Sequence, residues 1–312
     1  MIATKFADGQ SNPTFKIEAA SGTYVLRRKP PGVLLKSAHA VDREFRVMSA
    51  LANSDVPVPG TYHLCEDDSV IGSMFFLMEF VEGRVMWNPA LPDFTPTERH
   101  NIFDEMNRVL AAVHSVDIDA FGLADYGKPG NYFERQVSRW TGQYRASETD
   151  PVPAMDTVIE WLAGNTPPDD GRISLVHGDY RLDNMIFHPS EPRVLALVDW
   201  ELSTLGHPFA DLAYQCMQWR VKGGGIIPGL GDIDRSALGI PTEDKYVARY
   251  CERMQIEEIA NWNFYLVFSF FRLAAILQGV RKRAMDGNAS NERAMQVGGL
   301  VKPLAKMAAK LI

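Results

Sequence analysis

The chain reads as an α+β fold, with a small antiparallel sheet and one helix first and a mainly helical remainder after it. Three features predict this. Strand-type alternation and turn residues are concentrated ahead of Gly83. From Thr95 onward the apolar residues recur at helical spacing through most of the chain. Midway, Leu175–Phe187 and Leu195–Glu201 interrupt that spacing with short apolar runs around a polar loop. The division expected from this pattern is one lobe over residues 1–82 and a second over 83–312.

In order, a small polar loop from Asp8 precedes a hairpin, Phe15–Ala19 and Thr23–Arg27, turned at Ser21 and Gly22. The backbone N–H groups of that loop and the Ser11 hydroxyl are suited to covering phosphates. Pro30, Pro31 and Gly32 end the second strand. Val41, Phe45, Met48 and Leu51 share one face of a helix expected from Ser37, with Glu44 near that face. Val56–Pro59 stops it, and strands follow at Thr61–Cys65 and Met74–Val81.

Past Gly83 the chain is expected to turn helical. Thr95, Pro96 and Glu98 form a capping box with proline at the first helical position, opening a helix to about His114. His114, alone near a helix end, is expected to be structural. Further helices are expected at Asn131–Ser147, Met155–Ala163 and about 242–255, 258–285 and 290–310. Another is expected to start within Ser203–Ala213, with Asp211 in its first turn, where the helix dipole favours a carboxylate. Val221–Pro241, rich in glycine, is expected to be a mobile loop.

Composition narrows the function. The net charge of −7 argues against nucleic acid as a partner, because such binding needs a basic footprint. Cys65, Cys216 and Cys251 are odd in number and widely spaced, which suggests neither a disulfide framework nor a zinc site. Phe264–Val280 is interrupted by Ser269, Arg272 and Gln278, so it is expected to be a buried helix rather than a membrane span. A cytoplasmic protein is expected, the first residues lacking an apolar signal core.

The chemistry gathers in the interrupting segment. His177, Asp179, Arg181 and Asn184 lie in a loop braced by strands, which can hold polar groups in fixed positions. Asp199 and Glu201, two apart on extended chain, point to one face. Carboxylates, an amide and a guanidinium within so short a stretch suit Mg²⁺ and a polyphosphate, since Mg²⁺ takes hard oxygen ligands.

The spacing His177-x-Asp179, then Asn184, then Asp199 after the next hairpin, is the catalytic-loop pattern of phosphoryl transfer on the kinase fold. With His177-Gly178-Asp179 in that pattern, the chain resembles the aminoglycoside phosphotransferase and choline kinase superfamily. It is most similar to the phosphotransferase domains associated with acyl-CoA dehydrogenases, through Tyr24–Arg28, Ser37–Met48, Val56–Pro59 and His177–Asn184. The resemblance implies a protein-kinase-like two-lobe fold and ATP with Mg²⁺ as cofactors.

It also implies roles. Val25 would lie against the adenine and Arg27, standing where most kinases have lysine, would reach the phosphates with Glu44 as its partner. The Glu79 carbonyl and the Val81 N–H would hold the adenine edge. Asp179 would be the base, Arg181 would face the transferring phosphoryl group, and Asn184, Asp199 and Glu201 would hold metal. Asp211 would brace the catalytic loop. Asp199-Trp200-Glu201 in place of Asp-Phe-Gly disfavours a protein kinase, and Arg27 keeps open the alternative of a nucleotide-binding pseudokinase or interaction module.

The late helix, with Trp262, Phe264, Tyr265, Phe268, Phe271 and Arg272, and the nearby Arg220 and Lys222, suggests an apolar acceptor wall with basic groups. Together with the resemblance, this predicts transfer to a hydroxyl of a hydroxyacyl-CoA or hydroxy acid. An acyl-CoA dehydrogenase is the expected pathway partner.

Overall fold

The structure, a computed structural model, describes residues 1–6, 12–30, 40–287 and 294–312. Its first part is a five-stranded antiparallel sheet of order β1-β2-β3-β5-β4, built from β1 (Ile2–Lys5), β2 (Thr14–Ala19), β3 (Gly22–Arg28), β4 (Thr61–Cys65) and β5 (Phe75–Glu79). The helix α1 (Val41–Leu51) lies between β3 and β4 in sequence and packs on the sheet. Val41, Val47, Met48 and Leu51 form its buried stripe. On β3 the register pairs Val25 with Met78 and Arg27 with Phe76 on β5.

The remainder is mainly helical. It contains α2 (Pro96–His114), α3 (Tyr132–Ser147), α4 (Pro153–Asn165), α5 (Phe209–Cys216), the single turn α6 (Arg235–Leu238), α7 (Glu243–Met254), α8 (Trp262–Met285), α9 (Ala294–Gly298) and α10 (Val301–Ala309). Thr95 caps α2 as a capping box, with both the Thr95 side chain and the Glu98 carboxylate engaged. Two small strand sets carry the loop region: β10 (Thr204–Gly206) on β7 (Ser174–Val176), and β6 (Arg84–Val85) with β8 (Met185–Phe187) and β9 (Val194–Leu197).

Several expectations are corrected. The chain past Gly83 first forms β6 against β8 rather than turning helical. Ser203–Ala213 opens with β10 paired on β7, and α5 begins only after Pro208; Asp211 remains in the first turn of α5. The helix expected over 290–310 is two helices separated near Gly299, with residues 290–293 outside the described ones. The start of the first helix before residue 40, and Ser11, also lie outside them. β1 was not expected, because its four residues are all exposed and show no alternation; only pairing with β2 defines it.

The glycine-rich segment closes on itself. Gly231 donates to Val221 at 2.8 Å, Leu230 to Gln218 at 2.7 Å and Gly223 to the Asp232 carboxylate at 2.7 Å. Leu230 is fully buried beneath them.

Helix α8 is long and apolar enough to cross a membrane by length and composition alone, but 78% of its apolar window is buried within the fold. It packs against α3, α4, α5 and α10, with Phe264, Phe268, Phe270 and Phe271 inside. Its aromatic run is therefore the core of the helical lobe.

The two regions meet along α1. Arg43 donates to the Tyr126 carbonyl at 2.6 Å and lies over the Tyr126 ring, while the Tyr126 hydroxyl reaches Ser203 Oγ at 2.7 Å. Arg46 donates to the Gly122 carbonyl at 2.9 Å. The exposed side of α1 thus docks on loops that belong to the helical lobe.

Candidate active site

The catalytic loop begins where β7 ends. Gly178 has φ +84, and a Cβ there would stand 2.6 Å from the Leu202 carbonyl, so only glycine lets the loop approach the next turn this closely. Asp211, fully buried at the start of α5, accepts from the backbone N–H of His177 at 2.6 Å and of Gly178 at 2.9 Å. His114 reaches the same carboxylate at 3.4 Å and holds the Tyr250 hydroxyl at 2.7 Å with its other nitrogen. The structural role expected for His114 is therefore to support Asp211. Burial would raise the Asp211 carboxyl, but the His114 and His177 rings and the Gly178 N–H hold it below the ordinary range.

His177 is buried and its ring is pinned on both sides. One nitrogen lies 3.0 Å from the Val198 carbonyl, the other accepts from the Asp179 N–H at 3.2 Å, and Trp200 packs 4.6 Å away centroid to centroid. Trp200 is fully buried, with its indole N–H donating to Leu197.

Asp179 lies at the tip of the loop with its side chain 24% exposed. Its Oδ1 accepts from the Tyr214 hydroxyl at 2.7 Å and its Oδ2 from Asn184 Nδ2 at 3.2 Å. Desolvation would raise its pKa, but Arg181, Tyr214, His177 and Arg272 outweigh that and hold the group below the ordinary carboxylate value. Asn184 also donates to the Asp179 carbonyl at 2.9 Å, so its NH₂ is committed to the loop and its oxygen is the atom suited to a cation. Arg181 turns its guanidinium onto Asp183 through two bonds, and its Nε is 3.9 Å from Asp179.

The second centre forms around Arg27. Its Nε lies 2.7 Å from Glu44, which is 1% exposed, and its Nη2 is paired with Asp199 and lies 3.7 Å from Glu201. The pairing of strand cation with helix glutamate read from the sequence is thus the one present. Burial pushes the Glu44 carboxyl up to about 7 against the pull of Arg27. Burial alone would lower the Arg27 guanidinium, but Glu44, Asp199 and Glu201 together raise it. The extended chain expected at Asp199 and Glu201 is corrected: Asp199 adopts φ +67 at the head of a single helical turn, Trp200–Leu202, whose Trp200 N–H is bound by Glu44.

Val25 is buried on the same strand as Arg27, and Glu79 ends β5 opposite Tyr24. Glu79 is tied to Gly60 through its backbone N–H at 2.7 Å and through its carboxylate at 3.0 Å. Val81, two residues further, lies between β5 and β6 outside both strands.

Asn184, Asp199 and Glu201 offer the hard oxygen donors that Mg²⁺ takes. Among the described residues no group of three or more His, Cys, Asp or Glu is placed to hold a metal ion by itself. The Arg27 guanidinium is shared by Glu44, Asp199 and Glu201.

Sequence reasoning missed three contributors. Asn12, 1% exposed, donates to Glu201 at 3.2 Å; its signal was its place between the small polar loop and Pro13. Tyr214 lies one helical turn beyond Asp211 on α5. Asp183 lies two residues beyond Arg181. The acceptor wall expected on α8 is corrected: Arg272 is 5% exposed and donates to the Gly178 carbonyl at 2.6 Å, so it braces the catalytic loop. Arg220 is paired with Glu243.

A sheet with one helix, a braced His-Gly-Asp loop and an acidic turn held by a strand cation define a kinase-like phosphotransferase. The sequence profile of the phosphotransferase enzyme family matches residues 2–247, and the chain belongs to that family. It is 52% identical over 309 residues to mouse acyl-CoA dehydrogenase family member 10, covering 99% of this chain and 29% of that protein. It is 42% identical over 312 residues to human acyl-CoA dehydrogenase family member 11, covering 100% of this chain and 40% of that protein. The chain thus spans well under half the length of these relatives.

Among solved structures it resembles a Ralstonia eutropha protein named for the aminoglycoside phosphotransferases, with TM-score 0.90, 53% identity, and coverage of 99% of this chain and 92% of that one. A thermostable mutant of aminoglycoside phosphotransferase APH(4)-Ia, in complex with AMP-PNP and hygromycin B, shares the fold at TM-score 0.66 and 14% identity, over 99% of this chain and 94% of that one.

Two outcomes follow from this geometry. Arg27→Met and Glu44→Gln should each impair nucleotide use, and the double variant should lose less than the sum, with a coupling of about 0.5–3 kcal/mol in a double-mutant cycle. Additive losses would transfer the role to Arg28. Asp211→Asn should cost about 1–3 kcal/mol in urea unfolding, because the amide offers one oxygen to two loop N–H groups. The folded pKa of Asp211 is depressed, so this difference should be full above the ordinary value of 3.8 and close as pH falls below it through the folded value.

Proposed function

We propose that this chain is an ATP-dependent small-molecule kinase that moves the γ-phosphoryl group to an acceptor hydroxyl. Residues 1–82 would grip the nucleotide, and residues 83–312 would supply the base, the metal ligands and the acceptor site. The observation that carries the reading is the Asp179 carboxylate, kept ionised, partly exposed, and held through both oxygens by Tyr214 and Asn184.

Asp179 orients the acceptor hydroxyl and accepts its proton as the oxygen attacks the γ-phosphorus, and ADP leaves. Asn184, Asp199 and Glu201 would hold Mg²⁺, which neutralises phosphate charge when bound. Arg27, aimed by Glu44, serves the phosphates, and Val25, Glu79 and Val81 take the adenine. Arg181, anchored on Asp183, presents its outer edge to the transferring group.

The acceptor we propose is a hydroxyacyl-CoA or a related hydroxy acid, acting in a pathway with an acyl-CoA dehydrogenase. The support is the 52% identity to a protein named for those dehydrogenases. The charges near the base also fit: the guanidinium groups of Arg181 and Arg272 lie around Asp179. That surrounding favours an anionic acceptor over a polycationic aminoglycoside.

Asp179→Asn should lower kcat by about 10²–10⁴-fold while Mg-nucleotide affinity stays close to that of the unmodified protein. Asp199→Asn should weaken Mg-nucleotide binding itself. Turnover near the unmodified rate in Asp179→Asn would remove Asp179 as the base, and nucleotide binding with no turnover on any acceptor would favour a pseudokinase. For the acceptor, Mg-ATP consumption is measured with hydroxyacyl-CoA thioesters, hydroxy acids, kanamycin, choline and homoserine. Activity with the first two classes is expected; activity confined to the last three compounds would overturn the acceptor and leave the kinase.

A further inference from the structure

We propose that Tyr214 is a positioning residue for phosphoryl transfer, its hydroxyl fixing the direction in which the Asp179 carboxylate faces the acceptor. The inference rests on Asp179 being the base and adds a residue to that site.

Tyr214 is 7% exposed, and its hydroxyl donates to Asp179 Oδ1 at 2.7 Å. A hydrogen bond to an ionised carboxylate is about twice as strong as a neutral one. Asn184 takes the other oxygen at 3.2 Å, so the plane of the carboxylate is defined from both ends. A carboxylate with one donor can turn about its Cβ–Cγ bond; one with donors on both oxygens is held.

The alternative that Tyr214 prevents is visible in the same loop. Arg181 Nε lies 3.9 Å from the very oxygen that Tyr214 occupies. A full ion pair there would commit the base's lone pair to the guanidinium. Two contacts keep the groups apart: Tyr214 holds the carboxylate oxygen, and Asp183 holds the guanidinium through Nε and Nη2.

Tyr214 is itself held. It lies one turn after Asp211 on α5, so one short helix fixes both the backbone of the loop and its reactive side chain. From α8, the Arg272 guanidinium lies 5.6 Å from the Tyr214 ring centroid and donates to the Gly178 carbonyl. The hydroxyl therefore arrives from a rigid surface, which is what precise placement of a reacting group requires.

The test is a kinetic cycle of Tyr214→Phe, Asp179→Asn and the double variant, read as Mg-ATP turnover with the acceptor panel above supplied as a mixture. Tyr214→Phe should lower kcat by roughly 10–100-fold with the Mg-nucleotide KM unchanged. In the Asp179→Asn background the same change should cost nothing further. If Asp179→Asn loses activity while Tyr214→Phe keeps the unmodified kcat, the positioning role is overturned and the base stands. If Tyr214→Phe costs as much without Asp179 as with it, Tyr214 is only structural. If Asp179→Asn keeps the unmodified turnover, or the unmodified protein turns over no ATP with the mixture, the reading of the base falls and this inference with it. Thermal unfolding checks the fold, and Tyr214→Met takes the place of Tyr214→Phe in the cycle should the latter not fold.

Discussion

The contacts of Arg27 are the joint on which the site depends. Glu44 is 1% exposed, and removing one partner of a buried ion pair costs about 3–5 kcal/mol because the other charge is left uncompensated. The same guanidinium reaches Asp199 and lies near Glu201, so a strand, a helix and the acidic turn share one cation. A lysine ammonium would present a single point charge to these partners. The planar guanidinium presents several N–H directions at once, which is the physical reason arginine serves here. Glu44 closes the circuit by binding the Trp200 N–H of the same turn.

That joint is reinforced by the docking of α1. Arg43 and Arg46 reach Tyr126 and Gly122, and Tyr126 reaches Ser203, which lies two residues beyond Glu201. The helix that aims Arg27 is therefore anchored to the loop that follows the acidic turn. Trp200, fully buried against His177, fills the place where protein kinases carry a phenylalanine. Turning it outward would expose a large aromatic surface and break the indole N–H bond to the Leu197 carbonyl, so this turn is built to stay in place.

Where the sequence was readable, local chemistry matched the global fold. The capping box at Thr95, the helical stripe of α1 and the alternation on β3 each fix their own conformation. The candidate residues from Asp179 to Asn184 stand out together because one short loop carries them, whereas the turn at Asp199 reads in sequence as extended chain. What escaped was decided by partners distant in sequence. β1, β6 and β10 are four residues or shorter and exist through pairing with β2, β8 and β7. Arg272 read as part of a basic wall because spacing along a helix does not reveal that Gly178 lies beneath it. Asn12 and Glu201 are 189 positions apart, beyond the reach of any local pattern.

The acidic residues of the site show how one functional group is given different tasks by its surroundings. Asp211 is buried and spent on backbone N–H groups, so it cannot meet a ligand and serves only to hold the loop. Glu44 is buried but raised, and a cation must stay beside it for it to remain charged. Asp179 and Asp199 keep 24% and 32% of their side chains exposed, and both are held from the protein side. Holding a carboxylate from behind while leaving its front open removes the need to reorganise it when a substrate arrives. The braces that make this possible come from α2, α5 and α8, through His114, Asp211, Tyr214 and Arg272. The buried helical core, far larger than the site it carries, is thereby tied to the placement of one loop.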